Sequence, residues 1–278
     1  VTQVNSWHIP PMESFKQGFR NKTIPWLVFR YYLLAMRFCR RVITVSPELR
    51  QLVINGGVPG AKVRFIPTAI DLETYTPDET VRREVRAELG IPEDVTVIGT
   101  AGRIQRQKNL ELFVQVARKL LDAGEKVRFM IVGDGTDRPV IEQAAAELGV
   151  ARDVLVTGWR RDVPRVMQAF DIFALTSFSE GMPIVVLEAM ALKKPVVGTD
   201  VGAMRQCVTA GETGLLVPSG DSEGLTRGLS GLLHDRDRGR RMGEAGRARV
   251  ERDITADAMV RRHLEVYAAA LDQGKAAG

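Results

Sequence analysis

The sequence predicts an α/β protein whose parallel sheets are covered by helices on both faces. From about residue 95 onward, short apolar runs such as 127–132 alternate with longer stretches of helical periodicity, which is the pattern of repeated strand–helix units. Several of these runs are apolar throughout, which indicates strands buried on both faces. Hydrophobic residues make up 45% of the 278 residues, so the chain can form one large or two modest domains with a real core.

The first 75 residues predict a partial domain and a linker. A strand or loop opens the chain and is followed by a long helix over about 24–40 and a strand over 42–45. The next helix is expected to begin at Ser46-Pro47, because Ser is a good N-cap and Pro is favoured in the first turn. A further strand is expected over 62–67. The segment 66–77, bracketed by prolines, is interpreted as the linker.

Residues 76–254 predict a complete second domain. Its strands are expected over 95–101, 127–132, 154–157, 171–175, 195–197 and 215–217. Its helices are expected over 108–123, 138–148 and 163–169, then from Pro183 as the first helical residue, and finally as three charged helices. Residues 255–278 are expected to form a C-terminal helix that packs back on the N-terminal domain.

Two carboxylates mark the most informative part of the chain. Glu188 is the only charge in the apolar run 181–192, and Glu180 stands eight residues before it. Burying an unpaired carboxylate costs several kcal/mol, so Glu188 must meet a partner or solvent. The first free N–H groups of the helix, at Ile184 and Val185, lie between the two carboxylates and favour an anion. A ligand with a phosphate in the middle and hydroxyls on both sides fits this arrangement, which is the description of a sugar nucleotide.

A second cluster follows the strand expected over 95–101. Arg103 and Lys108 lie on the loop after this strand, and in open parallel sheets ligands bind at the carboxyl ends of the strands. Two cations suit a diphosphate. The loop is not a P-loop, because the second glycine of that motif is absent.

Other motifs have structural interpretations. Gly133-Asp134-Gly135 lacks the third glycine of a dinucleotide fingerprint and is interpreted as a turn with a capping Asp. Asp235 and Asp237 have D-x-D spacing but lie in a charge run typical of solvated surface. His234 and His263 are also expected at the surface, and no Cys/His/Asp cluster has metal-ligand spacing. We therefore expect no metal and no cofactor.

Positive charge is concentrated at the amino-terminal end. Residues 1–50 contain eight Lys or Arg against two Glu, while the whole chain has a net charge of only +5. The aromatic residues mixed with these cations favour an interfacial helix on an anionic membrane over a nucleic-acid platform. An ordinary helix with a basic solvent face remains the alternative. The residues concerned are Trp26, Phe29, Tyr31, Tyr32 and Phe38, with Arg30, Arg37, Arg40 and Arg41.

The cellular location is inferred from the apolar stretches and from the cysteine content. No apolar stretch reaches the roughly 20 residues that a membrane-spanning helix needs. The two cysteines, Cys39 and Cys207, suggest no disulfide framework and favour a reducing compartment. We expect a cytoplasmic protein that is peripheral at the inner face of the membrane.

Seven motifs together resemble the retaining glycosyltransferases of family 4, which have the GT-B fold. The match extends from residue 42 to 217, about two thirds of the chain, and its E-x7-E element is moderately specific alone but strong as part of the ordered set. The motifs are I-T-V-S-P at 43–47, F-I-P-T-A-I-D at 65–71, G-R-I-x-x-x-K-N at 102–109, V-G-D-G at 132–135, S-E-G-M-P-I-V-V-L-E-A-M-A at 179–191, K-P-V-V-G-T-D-V-G at 194–202 and G-E-T-G-L-L-V-P at 211–218.

The resemblance implies a fold and a reaction. The fold would be one complete Rossmann-like C-terminal domain with a partial N-terminal Rossmann-like domain, covering residues 76–254 and 1–75. The reaction would transfer a hexose-type sugar from a UDP or GDP donor to a hydroxyl of a glycan or lipid-linked acceptor, with retention at the anomeric carbon and without a metal ion. No nucleic-acid partner is expected.

The resemblance also implies a role for individual residues. Arg103 and Lys108 match the pair that holds the donor diphosphate. Glu188 matches the acceptor of hydrogen bonds from the ribose hydroxyls, and Glu180 the residue that contacts the transferred sugar. The remaining matched positions are Ile184 and Val185, whose backbone N–H groups cradle a phosphate, Gly181 as a further donor-binding position, and His8 near the transferred sugar.

One departure from the family keeps other functions open. Family members begin with a strand and a Gly-rich loop that closes over the donor, and no such segment is recognised here. We therefore expect that about half of the N-terminal domain is missing, through truncation or because the sequence is a fragment. The alternatives are an inactive nucleotide-sugar-binding remnant, a metal-free epimerase or phosphorylase of the same fold, and a dinucleotide module, which the missing glycine fingerprint disfavours.

Overall fold

The computed structural model describes residues 4–6 and 23–275, and their contacts divide the chain into two units. The first unit runs to Ala69 and also includes Glu180–Met182 and the residues from Ile254 onward. The second unit comprises Ile70–Ser179 and Pro183–Asp253.

The first unit is built on a small parallel sheet with the strand order β1-β2-β3. Its helix α2 begins where the sequence predicts, because Ser46 caps it by accepting the Leu49 N–H at 3.1 Å. Val53 of this helix and Val63 of the sheet are fully buried in the same core as Met36. The elements are β1 Val4–Ser6, α1 Thr23–Phe38, β2 Arg41–Thr44, α2 Pro47–Asn55 and β3 Val63–Phe65.

The second unit contains a six-stranded sheet in which all neighbouring strands are parallel. This architecture confirms the α/β fold class. The strands are β4 Thr96–Ala101, β5 Val127–Val132, β6 Val154–Val156, β7 Ile172–Leu175, β8 Val196–Thr199 and β9 Gly214–Val217. The helices are α3 Glu79–Glu88, α4 Leu110–Asp122, α5 Arg138–Glu147, α6 Val163–Met167, α7 Ile184–Ala191, α8 Met204–Cys207, α9 Ser222–His234 and α10 Arg236–Asp253.

The helix α11, Ala256–Lys275, belongs to the first unit. Its Val266 packs with Ile43 of β2 and with Ile66 in a small apolar cluster. Near its carboxyl end, the Ala270 carbonyl accepts a hydrogen bond from Arg40 Nη1 at 3.0 Å. The C-terminal helix is therefore held to the three-stranded sheet by both apolar and polar contacts.

The strand order of the larger sheet is β6-β5-β4-β7-β8-β9. The chain first builds outward from β4 to β6 and then returns to place β7 on the other side of β4. The sheet therefore has a topological switch point between β4 and β7, where the loops that follow the two strands diverge and leave a crevice. Phe113, Phe129 and Ile131 are essentially fully buried in the core beside these central strands.

Three local features differ from the sequence prediction. Helix α3 was not predicted, because six of its ten residues are charged and only Val85 and Arg86 are buried. The single-turn helix α8 was also missed. The expectation that Pro183 is the first helical residue is wrong by one position, since Pro183 is the N-cap and α7 begins at Ile184.

Arg86 is the largest fully buried side chain of α3. Its Nη2 donates to Asp171 Oδ2 at 2.5 Å, and the same carboxylate oxygen accepts the Val97 N–H at 2.7 Å. The rest of the guanidinium donates to backbone carbonyls of Ala169, Pro92, Glu93 and Val95. This network fastens α3 to the amino-terminal ends of β4 and β7, on the side of the sheet opposite the carboxyl-end loops.

None of the described helices is both long enough and apolar enough to cross a membrane. Cys39 and Cys207 are buried and are not joined in a disulfide.

Candidate functional site

Two loops lie side by side at the switch point, one after β4 and one after β7. Thr176 Oγ1 donates to the Lys108 carbonyl at 3.0 Å, and the Phe178 N–H donates to the Gln107 carbonyl at 2.8 Å. Gln107 Nε2 completes the connection by donating to the Ser179 carbonyl at 2.7 Å. Three hydrogen bonds therefore join the two loops into one surface.

The two predicted cations lie on this surface. Arg103 and Lys108 line one small cavity together with Gly102, Thr176 and Ser177. Arg103 is exposed and Lys108 is half-buried. The structure thus brings together both members of the predicted diphosphate pair at the carboxyl ends of β4 and β7, where a parallel sheet presents its ligand site.

The loop over residues 102–109, which carries Arg103 and Lys108, is called the cationic loop. Asn109 fixes its end. Its φ of 47° places it in the left-handed region, where Asn is tolerated better than most residues. It joins the 3-10 turn Arg106–Lys108 to α4, and its carbonyl accepts the Leu112 N–H at 3.1 Å. The Lys-Asn pair of the motif therefore combines a cation that lines the cavity with the residue that turns the chain into the helix.

Gly133 and Gly135 support the cationic loop from behind. A Cβ on Gly133 would stand 2.0 Å from the Gly102 carbonyl oxygen, and one on Gly135 would stand 2.0 Å from that of Ile104. Both glycines are therefore required for the close approach of two backbones. The turn interpretation holds, but Asp134 does not cap α5: the N-cap position is Asp137, and Asp134 accepts the Gly135 N–H at 2.8 Å.

Helix α7 begins directly after the second loop. Its Val186 N–H already donates to the Pro183 carbonyl at 3.0 Å, so Ile184 and Val185 supply the preceding N–H groups at its amino terminus. The positive end of the helix dipole adds to these donors. The middle of the helix is buried, including Val186 and Leu187, and this fixes its direction in the second unit.

Glu188 lies on the second turn of α7 and is half-buried. The Tyr75 hydroxyl donates to Glu188 Oε1 at 2.7 Å. Burial raises the pKa of the Glu188 carboxyl above its ordinary value, and the hydrogen bond from Tyr75 acts in the opposite direction. The same surroundings raise the pKa of the Tyr75 phenol, so this hydroxyl is a donor at every physiological pH.

Tyr75 is the residue that sequence reasoning missed. It lies in the segment interpreted as a linker, and it meets Glu188 across 113 positions of sequence. The only local signal is a single aromatic residue in a proline-bracketed segment.

The predicted site residues do not all belong to the same unit. Glu180 and Gly181 group by their contacts with the first unit, whereas Arg103, Lys108, Ile184, Val185 and Glu188 belong to the second. The second unit alone therefore holds the phosphate and ribose parts of the predicted site. His8 lies outside the described residues.

Among residues 4–6 and 23–275, no group of three or more His, Cys, Asp or Glu could hold a metal ion. Asp235 and Asp237 are exposed, and each is engaged locally: Asp235 accepts the Arg238 N–H at 2.9 Å, and Asp237 pairs with Arg240 at 3.3 Å. His234 is also exposed, while His263 is half-buried and its Nδ1 lies 2.9 Å from the Met259 carbonyl oxygen.

Curated relatives are similar over much of this chain. A D-inositol 3-phosphate glycosyltransferase of Nocardia farcinica is 37% identical over 213 residues, which are 73% of this chain and 47% of the relative. The lipopolysaccharide core biosynthesis glycosyltransferase LpsE of Rhizobium meliloti is 29% identical over 183 residues, which are 66% of this chain and 53% of the relative. The chain thus spans about half the length of the curated relatives it matches.

Solved structures show the same fold. Anabaena HepE in complex with UDP superposes with a TM-score of 0.82 at 23% identity, covering 88% of this chain and 69% of that one. Sucrose-phosphate synthase from Thermosynechococcus elongatus gives a TM-score of 0.83 at 23% identity, and the match covers 100% of this chain and 69% of the synthase. These likenesses confirm the GT-B fold class.

Two family models match the chain in the order that the motifs predict. The model described as glycosyltransferase family 4 matches residues 4–74, and the model described as glycosyl transferases group 1 matches residues 81–249. The second match alone covers more than half of the 278 residues and contains the cationic loop and helix α7. This chain therefore belongs to the group 1 glycosyl transferases.

Proposed function

We propose that this chain binds a nucleoside diphosphate sugar and transfers its hexose-type sugar to a hydroxyl acceptor with retention at the anomeric carbon. The observation that carries the proposal is that Arg103 and Lys108 line one cavity at the switch point of the second unit. Membership of the group 1 glycosyl transferases supports the reaction class, and the complexes of Anabaena HepE with UDP and UDP-glucose support the donor class.

The proposed mechanism is electrostatic. Negative charge grows on the diphosphate as the glycosidic bond breaks, and Arg103, Lys108 and the N–H groups of Ile184 and Val185 stabilise it without a metal. Glu188 accepts hydrogen bonds from the ribose hydroxyls. By their resemblance to the family, Glu180 contacts the transferred sugar, Gly181 is a further donor-binding position and His8 lies near the transferred sugar. No side chain of this set needs to act as a nucleophile.

The acceptor class rests on the relatives. Their names refer to D-inositol 3-phosphate and to the lipopolysaccharide core, which supports a hydroxyl of a glycan or of a lipid-linked acceptor. An assay with UDP-glucose and GDP-mannose separates the rival functions: a transferase releases the nucleotide, an epimerase converts the sugar and keeps the nucleotide attached, and a binding remnant does neither.

Nucleotide binding is expected to be independent of divalent metal. The diphosphate is neutralised by two side-chain cations and a helix amino terminus, so no metal bridge is needed. Calorimetric titration with UDP and with GDP should give the same Kd in the presence and absence of EDTA. A folded protein that loses binding on chelation contradicts the electrostatic mechanism.

We also propose that α1 brings the protein to anionic membranes. Val28, Tyr31, Leu34 and Phe38 are exposed large apolar side chains, and Phe38 reaches 82% exposure. Their spacing places them on one face of the helix. Arg30 and Arg37 of the helix and Arg40 just after it are exposed, so this segment offers both apolar and cationic contacts to an anionic surface.

Liposome co-sedimentation tests the membrane proposal. Because each cation near an anionic surface contributes about 1 kcal/mol, changing Arg30, Arg37, Arg40 and Arg41 to Gln should reduce binding to phosphatidylserine vesicles at least about 10-fold. Binding should also fade as salt rises through the physiological range. The matched control removes four arginines of the second unit, Arg227, Arg236, Arg240 and Arg241, and should bind like the wild type. Equal losses in both variants would mean attraction by net charge alone.

A further inference from the structure

The hydrogen bond between Tyr75 and Glu188 uses only one of the two carboxylate oxygens. The Tyr75 hydroxyl donates to Oε1 at 2.7 Å, and among the described residues no donor to Oε2 is found. Both residues belong to the second unit. A half-buried carboxylate with one oxygen satisfied and one open is prepared to accept further hydrogen bonds.

Tyr75 is held firmly on one side by Arg247. Nη1 of Arg247 donates to the Tyr75 carbonyl at 2.8 Å and to the Ala191 carbonyl at 2.8 Å. Ala191 is the last residue of α7, the helix that carries Glu188. One guanidinium thus ties the backbone of Tyr75 to the helix that bears its hydrogen-bond partner.

The other side of Tyr75 is held by Gln168. Gln168 Nε2 donates to the Thr76 carbonyl at 2.8 Å, and its Oε1 accepts the Asp78 N–H at 3.2 Å. Since the chain is fixed both at Tyr75 and immediately after it, the phenol ring has a defined place beside Glu188. This geometry fits a permanent support better than a gate that swings away when ligand arrives.

We propose that Tyr75 is a positioning residue that holds Glu188 by Oε1 and leaves Oε2 for the vicinal hydroxyls of the bound nucleotide. The inference rests on the proposed function, in which Glu188 accepts hydrogen bonds from the ribose. Holding one oxygen orients the carboxylate plane before the ligand binds, so less side-chain freedom is lost on binding. The donor also stabilises the ionised carboxylate in a site where burial opposes ionisation.

A Tyr75→Phe variant tests the proposal because it removes only the hydroxyl. We expect UDP to bind about 3- to 10-fold more weakly, since Glu188 loses the bond that orients and ionises it. Tyr267→Phe is the matched control, because Tyr267 is an exposed tyrosine of α11 and should leave the Kd unchanged. In a Glu188→Ala background, the Tyr75→Phe change should have no further effect on UDP affinity.

The pH dependence gives a readout that a merely structural role would not change. The contribution of ionised Glu188 is present above its pKa and lost as pH falls through that value. Among the residues that the structure describes, Tyr75 is the one titratable neighbour that acts on this carboxyl, and Asp71 acts in turn on Tyr75. Without the hydroxyl the pKa of Glu188 rises further, so the loss of UDP affinity should begin at higher pH. Taking the ratio of variant to wild-type affinity removes the titration of the nucleotide itself.

The two variants distinguish failure of the proposed ribose role of Glu188 from failure of the positioning role of Tyr75. If Glu188→Ala leaves UDP affinity unchanged, the ribose role in the proposed function fails and the inference fails with it. If Glu188→Ala weakens UDP binding but Tyr75→Phe does not, only the positioning role is overturned. Tighter UDP binding by Tyr75→Phe would mean that the hydroxyl competes with the ligand for Glu188, which also overturns it.

Discussion

Replacing both Arg103 and Lys108 by Gln is expected to weaken UDP binding by at least about 100-fold. Hydrogen bonds to charged groups contribute about 1.5–3 kcal/mol each, and both cations line the same cavity. The loops themselves should persist, because they are joined through the carbonyls of Gln107 and Lys108 rather than through the cationic side chains. Isothermal titration calorimetry with UDP measures the loss, and each single variant should lose about 10-fold or more.

Two further variants make this result specific. Arg106→Gln removes an equal charge from an exposed position of the same 3-10 turn and should leave the Kd for UDP within about 2-fold of the wild type. Glu180→Gln should also leave UDP affinity nearly unchanged and should weaken only the sugar-bearing donor. If Arg106→Gln weakens UDP binding as much as Lys108→Gln does, the loop attracts the nucleotide through its overall charge. The assignment of Arg103 and Lys108 as the diphosphate-binding pair is then wrong.

Replacing Arg86 by Met is expected to destabilise the second unit by about 2–3 kcal/mol, because the fully buried guanidinium is lost while Arg82 Nη2 still donates to Asp171 Oδ1 at 2.7 Å. Methionine fills much of the space but donates no hydrogen bond. The carbonyls of Pro92 and Val95, which accept from Nη1 at 3.1 Å, then lose this donor. Asp171 Oδ2 retains only the Val97 N–H.

Urea unfolding measures this effect as a shift of the midpoint at constant slope. Arg83→Met is the matched control, since Arg83 is an exposed arginine of the same helix whose Nε reaches only the Glu79 carbonyl at 3.3 Å. It should change the free energy of unfolding by no more than about 0.5 kcal/mol. A loss below about 1 kcal/mol for Arg86→Met would mean that water replaces the guanidinium and that α3 is held by Val85 and other apolar contacts.

The larger sheet could be predicted because its signals are local. Each strand is a short apolar run, and each is followed by a loop whose glycines and polar residues end it, as at 127–132 before Gly133. The capping of α2 by Ser46 is equally local, since donor and acceptor lie three residues apart. Helix α3 was missed for the complementary reason: its apolar face is minimal, and a buried arginine replaces the apolar residues that a pattern search requires.

The candidate site divides in the same way. By itself the sequence determined that Arg103 and Lys108 follow one central strand and that Glu188 lies in an apolar helix after another, because these facts depend only on the order of residues along the chain. Only the tertiary structure decided that β4 and β7 are neighbours and that Tyr75 meets Glu188. Such contacts join positions about a hundred residues apart through packing and hydrogen-bond geometry, and no periodicity or spacing within a short window specifies which distant side chain completes them.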